Sequence, residues 1–517
     1  MAFSRFPGVG RDAVESMNPH RFTASAAAAM ALLLGSCAVG PNFQAPQAPH
    51  TAGFVPAGAL PVETSAAPEA DVQAQRFIDG LDIPGQWWTL FRSAELNALI
   101  ERGIANNPTL EAAQAALKQA NETVAAQRGA FYPSVSAALA AQRVKEPAAA
   151  LGLPASGSVL YTLNSAEVNV SYTLDAFGGV RRQVEALQAQ AEYVKFSLEA
   201  SYLSLTANIV TAAITEGSLR AQIAATEDIA NSQQKQLDIT RRRVSAGGAS
   251  RADVLQQQSL LQATLASLPT LRSQLAHTRN LLSTYVGSLP AEFSAAEFDL
   301  DTLTLPLELP LSLPSKFVEQ RPDMRQYSAL LHAATANVGV ATANLLPQIT
   351  LSGAYGSEAG SFSNLFTPGS MLWSLGASLT QPIFRGGQLV HQRRAAVAAA
   401  QEALANYKAT VLTAFQNVSD ALYALNADAD ALAAQTLAAR AAADSLALVQ
   451  AQYKSGAASY LQVLSSQQSY QTAAIALVKV RAQRYADTAA LFQALGGGWW
   501  NRADVAANAT PNGKGQQ

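Results

Sequence analysis

Few residues in this chain are spaced for chemistry, and their spacing excludes most of it. Five histidines, His20, His50, His277, His332 and His391, are scattered over 517 residues, and no two stand at metal-ligand spacing. There is no His-Glu-x-x-His, no Gly-x-Ser-x-Gly and no phosphate-binding glycine loop ending in Lys-Ser or Lys-Thr. Gly8-Val9-Gly10 lacks the rest of a dinucleotide fingerprint, and Gly496-Gly497-Gly498 reads as a helix C-cap and tail. No catalytic residue, metal site or cofactor is therefore expected, and without a nucleotide site the chain cannot energise a process itself. What remains is one thiol, Cys37, and a carboxylate and a phenol, Asp253 and Tyr453, each close to a glycine-containing turn.

Cys37 follows His20-Arg21, the apolar run from Thr23 to Leu34, and Gly35-Ser36. A basic flank, a short apolar core and small residues make a secretion signal over residues 1–36. Met17 is an alternative start, because residues 1–16 add nothing a signal needs. Leu34-Gly35-Ser36-Cys37 resembles the lipobox of bacterial lipoproteins, which implies a covalent lipid on Cys37. An ordinary signal ending beside a cysteine is the plainer alternative, but the only cysteine stands where a lipobox requires it. Ala38, rather than Asp, implies by the same resemblance delivery to the outer membrane. No later apolar run approaches the ~20 residues of a spanning helix. The mature chain is thus held by lipid alone or crosses a membrane by strands.

Charged residues make up 14% of the chain and the net charge is −2, so no electrostatic footprint for nucleic acid is present. Alanine is abundant, which favours helix and close helix contacts.

The elements repeat in order. Asn107-Pro108 corresponds to Arg321-Pro322, and Tyr132-Pro133 to Leu346-Pro347. Phe177-Gly178-Gly179 corresponds to Phe384-Arg385-Gly386-Gly387. Gly247-Gly248-Ala-Ser250-Arg-Ala-Asp253-Val-Leu corresponds to Gly456-Ala457-Ala-Ser459-Tyr-Leu-Gln462-Val-Leu. The chain therefore reads as a signal (1–36), a Pro-, Ala- and Gly-rich arm (37–85), repeat 1 (86–290), a linker (291–314), repeat 2 (315–498) and a flexible tail (499–517). The ordered part is expected to start near Trp87-Trp88.

Each repeat predicts a helix (94–129; 315–345), two strands (134–144 and 165–176; 348–357 and 371–383), a long helix (180–244; 388–454), a tight turn, and a returning helix (251–286; 459–494). The strands alternate: Val168, Val170, Tyr172 and Leu174 against Asn169, Ser171, Thr173 and Asp175. Trp373, Leu375, Ala377 and Leu379 alternate with Ser374, Gly376, Ser378 and Thr380. Four strands cannot close a barrel, whereas about eight can, so other copies of the chain would have to supply the rest. From Gln388 to Ser455 there is no glycine and no proline. A helix of that length spans on the order of 100 Å, more than one globular core. Val411, Phe415, Val418, Leu422 and Leu425 keep heptad spacing, as do Leu198, Tyr202, Leu205 and Ile209. Leu261, Leu268, Leu275 and Leu282 recur every heptad, with Pro269 expected to bend that helix. A leucine-zipper DNA binder would need a basic region, which is missing.

Together, Cys37-Ala-Val-Gly-Pro-Asn-Phe43, Trp87-Trp88, the duplicated Phe-Gly-Gly strand ends and the duplicated Gly-x-x-Ser turns are similar to the outer-membrane efflux proteins. That is the TolC-like family, and within it the NodT-type lipoprotein branch. The resemblance covers about residues 37–498. It implies a mainly α fold with a transmembrane β-barrel: a homotrimer whose protomers each give four strands to one barrel and their helices to a periplasmic tunnel. It implies a passive exit duct in a tripartite efflux system, with a periplasmic adaptor (membrane fusion) protein and an inner-membrane efflux pump as partners. The implied docking tips are Gly247, Gly248, Ser250, Gly456, Ala457 and Ser459, and the implied periplasmic gate pairs Asp253 with Tyr453. Against that gate, Asp253 could equally be a first-turn residue favoured by its helix dipole. The family's lock arginine is Ala458 here, and its acidic ring is Gln462 and Ser465. The alternatives from other classes are a structural coiled-coil lipoprotein, which leaves the four strands unexplained, and a lipid-anchored enzyme, which lacks a site.

Overall fold

The computed structural model describes residues 39–49, 51, 53–67, 73–151, 157–503 and 505. Its helices are α1 (Ala94–Asn106), α2 (Pro108–Arg128), α3 (Gly179–Ser245), α4 (Arg251–Tyr285), α5 (Pro314–Gln320), α6 (Pro322–Ala343), α7 (Gln388–Lys454) and α8 (Tyr460–Ala494). Its strands are β1 (Arg76–Asp79), β2 (Ser134–Pro147), β3 (Ser158–Leu174), β4 (Glu308–Leu311), β5 (Gln348–Ala359) and β6 (Met371–Thr380). The signal segment, Cys37 and residues 506–517 lie outside the described residues.

The chain divides into two compact units. Among the described residues, one comprises those within 39–43, 125–186 and 334–398, and the other those within 44–124, 187–333 and 399–505.

In the first unit the four long strands form one antiparallel sheet in the order β2-β3-β5-β6. The register carries the sequence alternation across the whole sheet. Val135, Val170, Gly353 and Leu375 lie side by side on one face, as do Ala137, Val168, Tyr355 and Trp373. Ser134, Ser171, Ser352 and Gly376 occupy the other face, with Ser136, Asn169, Ala354 and Ser374 in the next row. β3 begins earlier than the expected 165, because it pairs along the full length of β2 to Pro147. β6 stops at Thr380 instead of 383, where Pro382 removes a ladder donor.

The second unit is mainly helical, and the predicted heptad seam runs through its core. Along α7, Val411, Val418, Leu422, Leu425 and Leu432 are buried. Val411, Val418, Leu422 and Leu425 join Ile209 and Val210 of α3, and Leu491 and Phe492 of α8. Trp87, Trp88 and Phe91 form a buried 3-10 turn at the centre of this core. Trp87 stacks on Phe492 at 5.4 Å, so the start of repeat 1 is packed against the last helix of repeat 2. Burying a side chain of that size stabilises by roughly 1.5–3 kcal/mol.

Several expectations need correction. The single helices 94–129 and 315–345 are each broken, at Asn107-Pro108 and Arg321-Pro322. The residue before a proline is pushed to extended backbone, and Asn107 (ψ 119) and Arg321 (ψ 125) both adopt it. The Asn107 side chain then accepts from the Thr109 N–H at 2.9 Å and caps α2. The arm and the linker, expected to be without structure, contribute β1 and β4, which pair in parallel. Order thus precedes Trp87. The tail is packed at its beginning: Trp499 Nε1 donates to the Gln320 carbonyl at 2.6 Å, and the Arg502 guanidinium lies 3.9 Å above the Tyr202 ring. α4 runs unbroken through Pro269.

Candidate functional site

The duplicated turn motif has a direct backbone explanation. Gly247 (φ +76) and Gly456 (φ +81) adopt the left-handed conformation that a side chain would oppose. At the first tip, Gly248 N–H donates to the Arg243 carbonyl at 2.8 Å and Gly247 N–H to the Val244 carbonyl at 3.0 Å. At the second, Ala457 N–H donates to the Gln452 carbonyl at 2.8 Å and Gly456 N–H to the Tyr453 carbonyl at 3.2 Å. Both are Schellman closures of a helix C-terminus. Three residues on, Ser250 and Ser459 are N-caps of the returning helices. Each completes a capping box, with Asp253 in the first hairpin and Gln462 in the second. The motif therefore stops one helix, reverses the chain and starts the next within a few residues. Gly247, Gly248, Ser250, Gly456, Ala457 and Ser459 all lie exposed on these two reversals.

Asp253 Oδ2 accepts from the Ser250 N–H at 2.9 Å, and the Asp253 N–H donates to Ser250 Oγ at 3.2 Å. Among the described residues no hydrogen bond joins Asp253 to Tyr453. Tyr453 instead lies beneath Arg243 of the other hairpin, with the guanidinium 4.4 Å from its ring centre. Arg243 Nη1 also donates to the Tyr453 carbonyl at 3.4 Å. Tyr453 also meets the Tyr460 ring, with centroids 5.4 Å apart. Tyr460 is buried and its hydroxyl donates to the buried Gln257 of α4. Burial pushes the Tyr460 phenol up to about 12; Thr240 opposes the rise, and Tyr453 and Asp253 add to it. The carboxylate and the two phenols thus belong to one cluster that joins the two hairpins.

Sequence reasoning found Asp253 and Tyr453 and missed Arg243, Tyr460 and Gln257. A signal was present: in the repeat alignment Arg243 faces Gln452 and Tyr460 faces Arg251, so the two copies differ in chemistry at these positions beside otherwise matching turns. Of the departures noted above, Gln462 serves as capping residue, its Oε1 accepting from Ser459 N–H at 2.7 Å. Ser465 lines a shallow groove with Gln435, Ser469 and Thr472.

The sheet is the second feature. On its apolar face Leu375 is 82% exposed and Trp373 73% exposed, far beyond what a water-facing sheet carries. Its edge strands β2 and β6 pair on one side only. Where β3 ends, Asp175 accepts from the Val180 and Arg181 N–H groups at 2.9 and 3.0 Å and caps α3. The segment just after Cys37 is docked there: the Val39 N–H donates to the Phe177 carbonyl at 3.2 Å. The buried Arg182 returns a bond to the Val39 carbonyl at 3.2 Å and another to Asn42. Cys37 itself lies outside the described residues. Among the described residues no group of three or more His, Cys, Asp or Glu is arranged to hold a metal ion, and no helix is long and apolar enough to cross a membrane.

Known proteins are similar to this chain in sequence and fold. The profile of the family described as "Outer membrane efflux protein" matches residues 99–288 and 313–497, one span in each repeat. The chain is 30% identical over 484 residues to the antibiotic efflux pump outer membrane protein ArpC of Pseudomonas putida, covering 93% of this chain and 96% of that protein. It is 29% identical to Nodulation protein T of Rhizobium leguminosarum bv. viciae, over 92% of this chain and 93% of that protein. Among solved structures the outer-membrane channel OprN superposes with a TM-score of 0.79 at 26% identity, covering 90% of this chain and all of that one. The chain belongs to the outer membrane efflux protein family and is a TolC-like channel protein of the outer membrane.

Proposed function

We propose that this chain is the passive exit duct of a tripartite efflux system. It would conduct small molecules from an inner-membrane pump, through a periplasmic adaptor, to the exterior. The observation that carries the reading is the four-stranded sheet, apolar on one face, polar on the other, and open at both edges. In lipid an open edge leaves backbone groups unsatisfied, so such a sheet is stable there only when closed by further strands. Three copies supply twelve, enough for a barrel with a lumen. The helices favour the same assembly. Leu412, Tyr423, Leu437 and Leu448 are exposed along α7 at intervals of about three or four turns, one stripe left for a neighbouring copy.

In this reading the polar face lines the pore and the helices stand in the periplasm. The hairpin tips, whose small residues admit close approach of another backbone, dock the adaptor. The Arg243–Tyr453 stack, with Asp253 beside it, is the contact that must yield for the duct to open. Cys37 carries lipid, and the clasp of Val39 by Arg182 holds that anchor at the foot of β3. No catalysis, metal or cofactor is assigned. The name of one relative, an antibiotic efflux pump outer membrane protein, supports export as the role.

Two measurements test this. Deleting the chain is expected to lower the inhibitory concentration of exported drugs several-fold, and unchanged susceptibility to every compound tried would count against it. The purified protein in detergent is expected to have the mass of three chains; a monomer lacking channel activity would instead favour a structural lipoprotein.

A further inference from the structure

A buried cation and two acidic side chains lie in the helical unit, away from the hairpin tips. Arg484 of α8 is 1% exposed. Its Nε donates to Gln75 Oε1 at 3.1 Å, and its Nη2 donates to Thr64 Oγ1 at 3.0 Å and to the Gln73 carbonyl at 3.2 Å. All three acceptors belong to the N-terminal arm, and all are neutral. The remaining nitrogen, Nη1, is buried without a hydrogen-bond partner. The carboxylate that acts on this guanidinium is Asp428 of α7. Asp428 hydrogen-bonds to Asp487 of α8, while no N–H or hydroxyl donor reaches its buried Oδ2. Two carboxyl groups can share a hydrogen bond only when one of them carries a proton.

We propose that Asp428 and Asp487 form a proton-binding site, and that loss of its proton releases the N-terminal arm from Arg484. With one shared proton the pair carries a single negative charge, matched by Arg484. Without it, two charges stand together beside a guanidinium whose free nitrogen can turn to them. Hydrogen bonds to a charged acceptor are about twice as strong as those to neutral ones. The ionised pair therefore outcompetes Thr64, Gln73 and Gln75 for Arg484. Other charges nearby are already engaged. Arg481 pairs with Asp301 at 2.6 Å, and Asp430 accepts from Ser65 of the arm. Tyr485 is held neutral by burial, and its hydroxyl donates to the Leu303 carbonyl at 3.0 Å. Gln483 donates to Asp487 Oδ2 at 3.0 Å and stays neutral throughout. The geometry agrees with the titration: burial pushes the Asp428 carboxyl up to about 8, the hydrogen bond and charge of Asp487 add to the rise, and Arg484 opposes it. Raised above the ordinary 3.8, this group contributes stability that is complete below about pH 4 and is lost as pH rises through about 8.

Infrared spectroscopy of the full chain in lipid nanodiscs reads the proton directly. A protonated-carboxyl band is expected at pH 6, falling by about half near pH 8 and lost at higher pH. It should be absent from Asp428→Asn and from Asp487→Asn, and retained in Asp430→Asn. A nitroxide on Ala66→Cys, in the exposed part of the arm, is expected to gain mobility over the same pH window in the parent background. The chain without the added thiol, treated identically, is the blank. In Asp428→Asn the mobility should stay constant. No such band at pH 6, or a band unchanged in both Asn variants, would overturn the proton site. A band that titrates while the arm label does not respond would overturn the release.

Discussion

At the first hairpin tip Arg241-Arg242-Arg243 stand just before the end of α3, and α4 restarts with Asp253 at its third position. At the second, α7 ends on Tyr453-Lys454 and α8 restarts with Tyr460 and Gln462. The backbone closures are the same, residue for residue, and only the side chains differ. The first tip carries cation and carboxylate where the second carries aromatic rings. The result is complementarity: Arg243 of one copy covers Tyr453 of the other. Shared backbone chemistry builds the tips, and divergent side chains make them recognise each other.

Three perturbations separate these two contributions. The largest effect is expected where the copies differ. Tyr453→Ala removes both the cation contact and the Tyr460 contact, and should sensitise cells several-fold to large antibiotics that leak through an open duct. Val244→Ala, at the equivalent position of the first tip, should not. Equal leak from both would show that the aromatic ring is not what distinguishes the tips.

A smaller effect is expected where the copies agree. Gly247→Val and Gly456→Val each place a side chain in the left-handed region, costing roughly 1–2 kcal/mol. The melting temperatures should fall by similar amounts in the two variants. A loss at one tip only would break the claim of a common backbone.

The smallest effect concerns the caps. Ser250→Ala and Ser459→Ala should each cost about 1 kcal/mol. Replacing the other half of each box should cost more for Asp253→Ala than for Gln462→Ala, because Asp253 puts a carboxylate at the positive end of a helix and Gln462 only a neutral amide. Chemical denaturation with added salt checks this, because only the Asp253 loss should be screened.

Much of this fold was legible in the sequence, because its longest elements carry the strongest local signals. Strict alternation located the strands and even the polarity of the sheet's faces. The absence of glycine and proline between Gln388 and Ser455 located α7 to the residue. Asp253 and Tyr453 were legible as neighbours of the turns, at one helical turn from each tip. The rest failed for identifiable reasons. β1 and β4 have four residues each and pair across a long stretch of chain, so neither has a periodicity of its own to read. Pro108 and Pro322 were visible, but a proline at a helix start and one that breaks a helix look alike until the preceding residue's backbone is known. Arg484, on a helix full of polar residues, reads as one more solvated charge. Only the fold of the arm over it makes it a buried cation. Arg243 and Tyr453 are distant in the chain, and no local pattern joins them.

The central claim is that this chain forms a transmembrane duct closed at its hairpin tips. Single-channel recording of the purified protein in a planar lipid bilayer tests it most directly. The expected result is discrete conductance steps, small in the parent protein and larger in Tyr453→Ala. A bilayer that stays silent with both proteins would contradict the duct, and steps of equal size in both would contradict the gate.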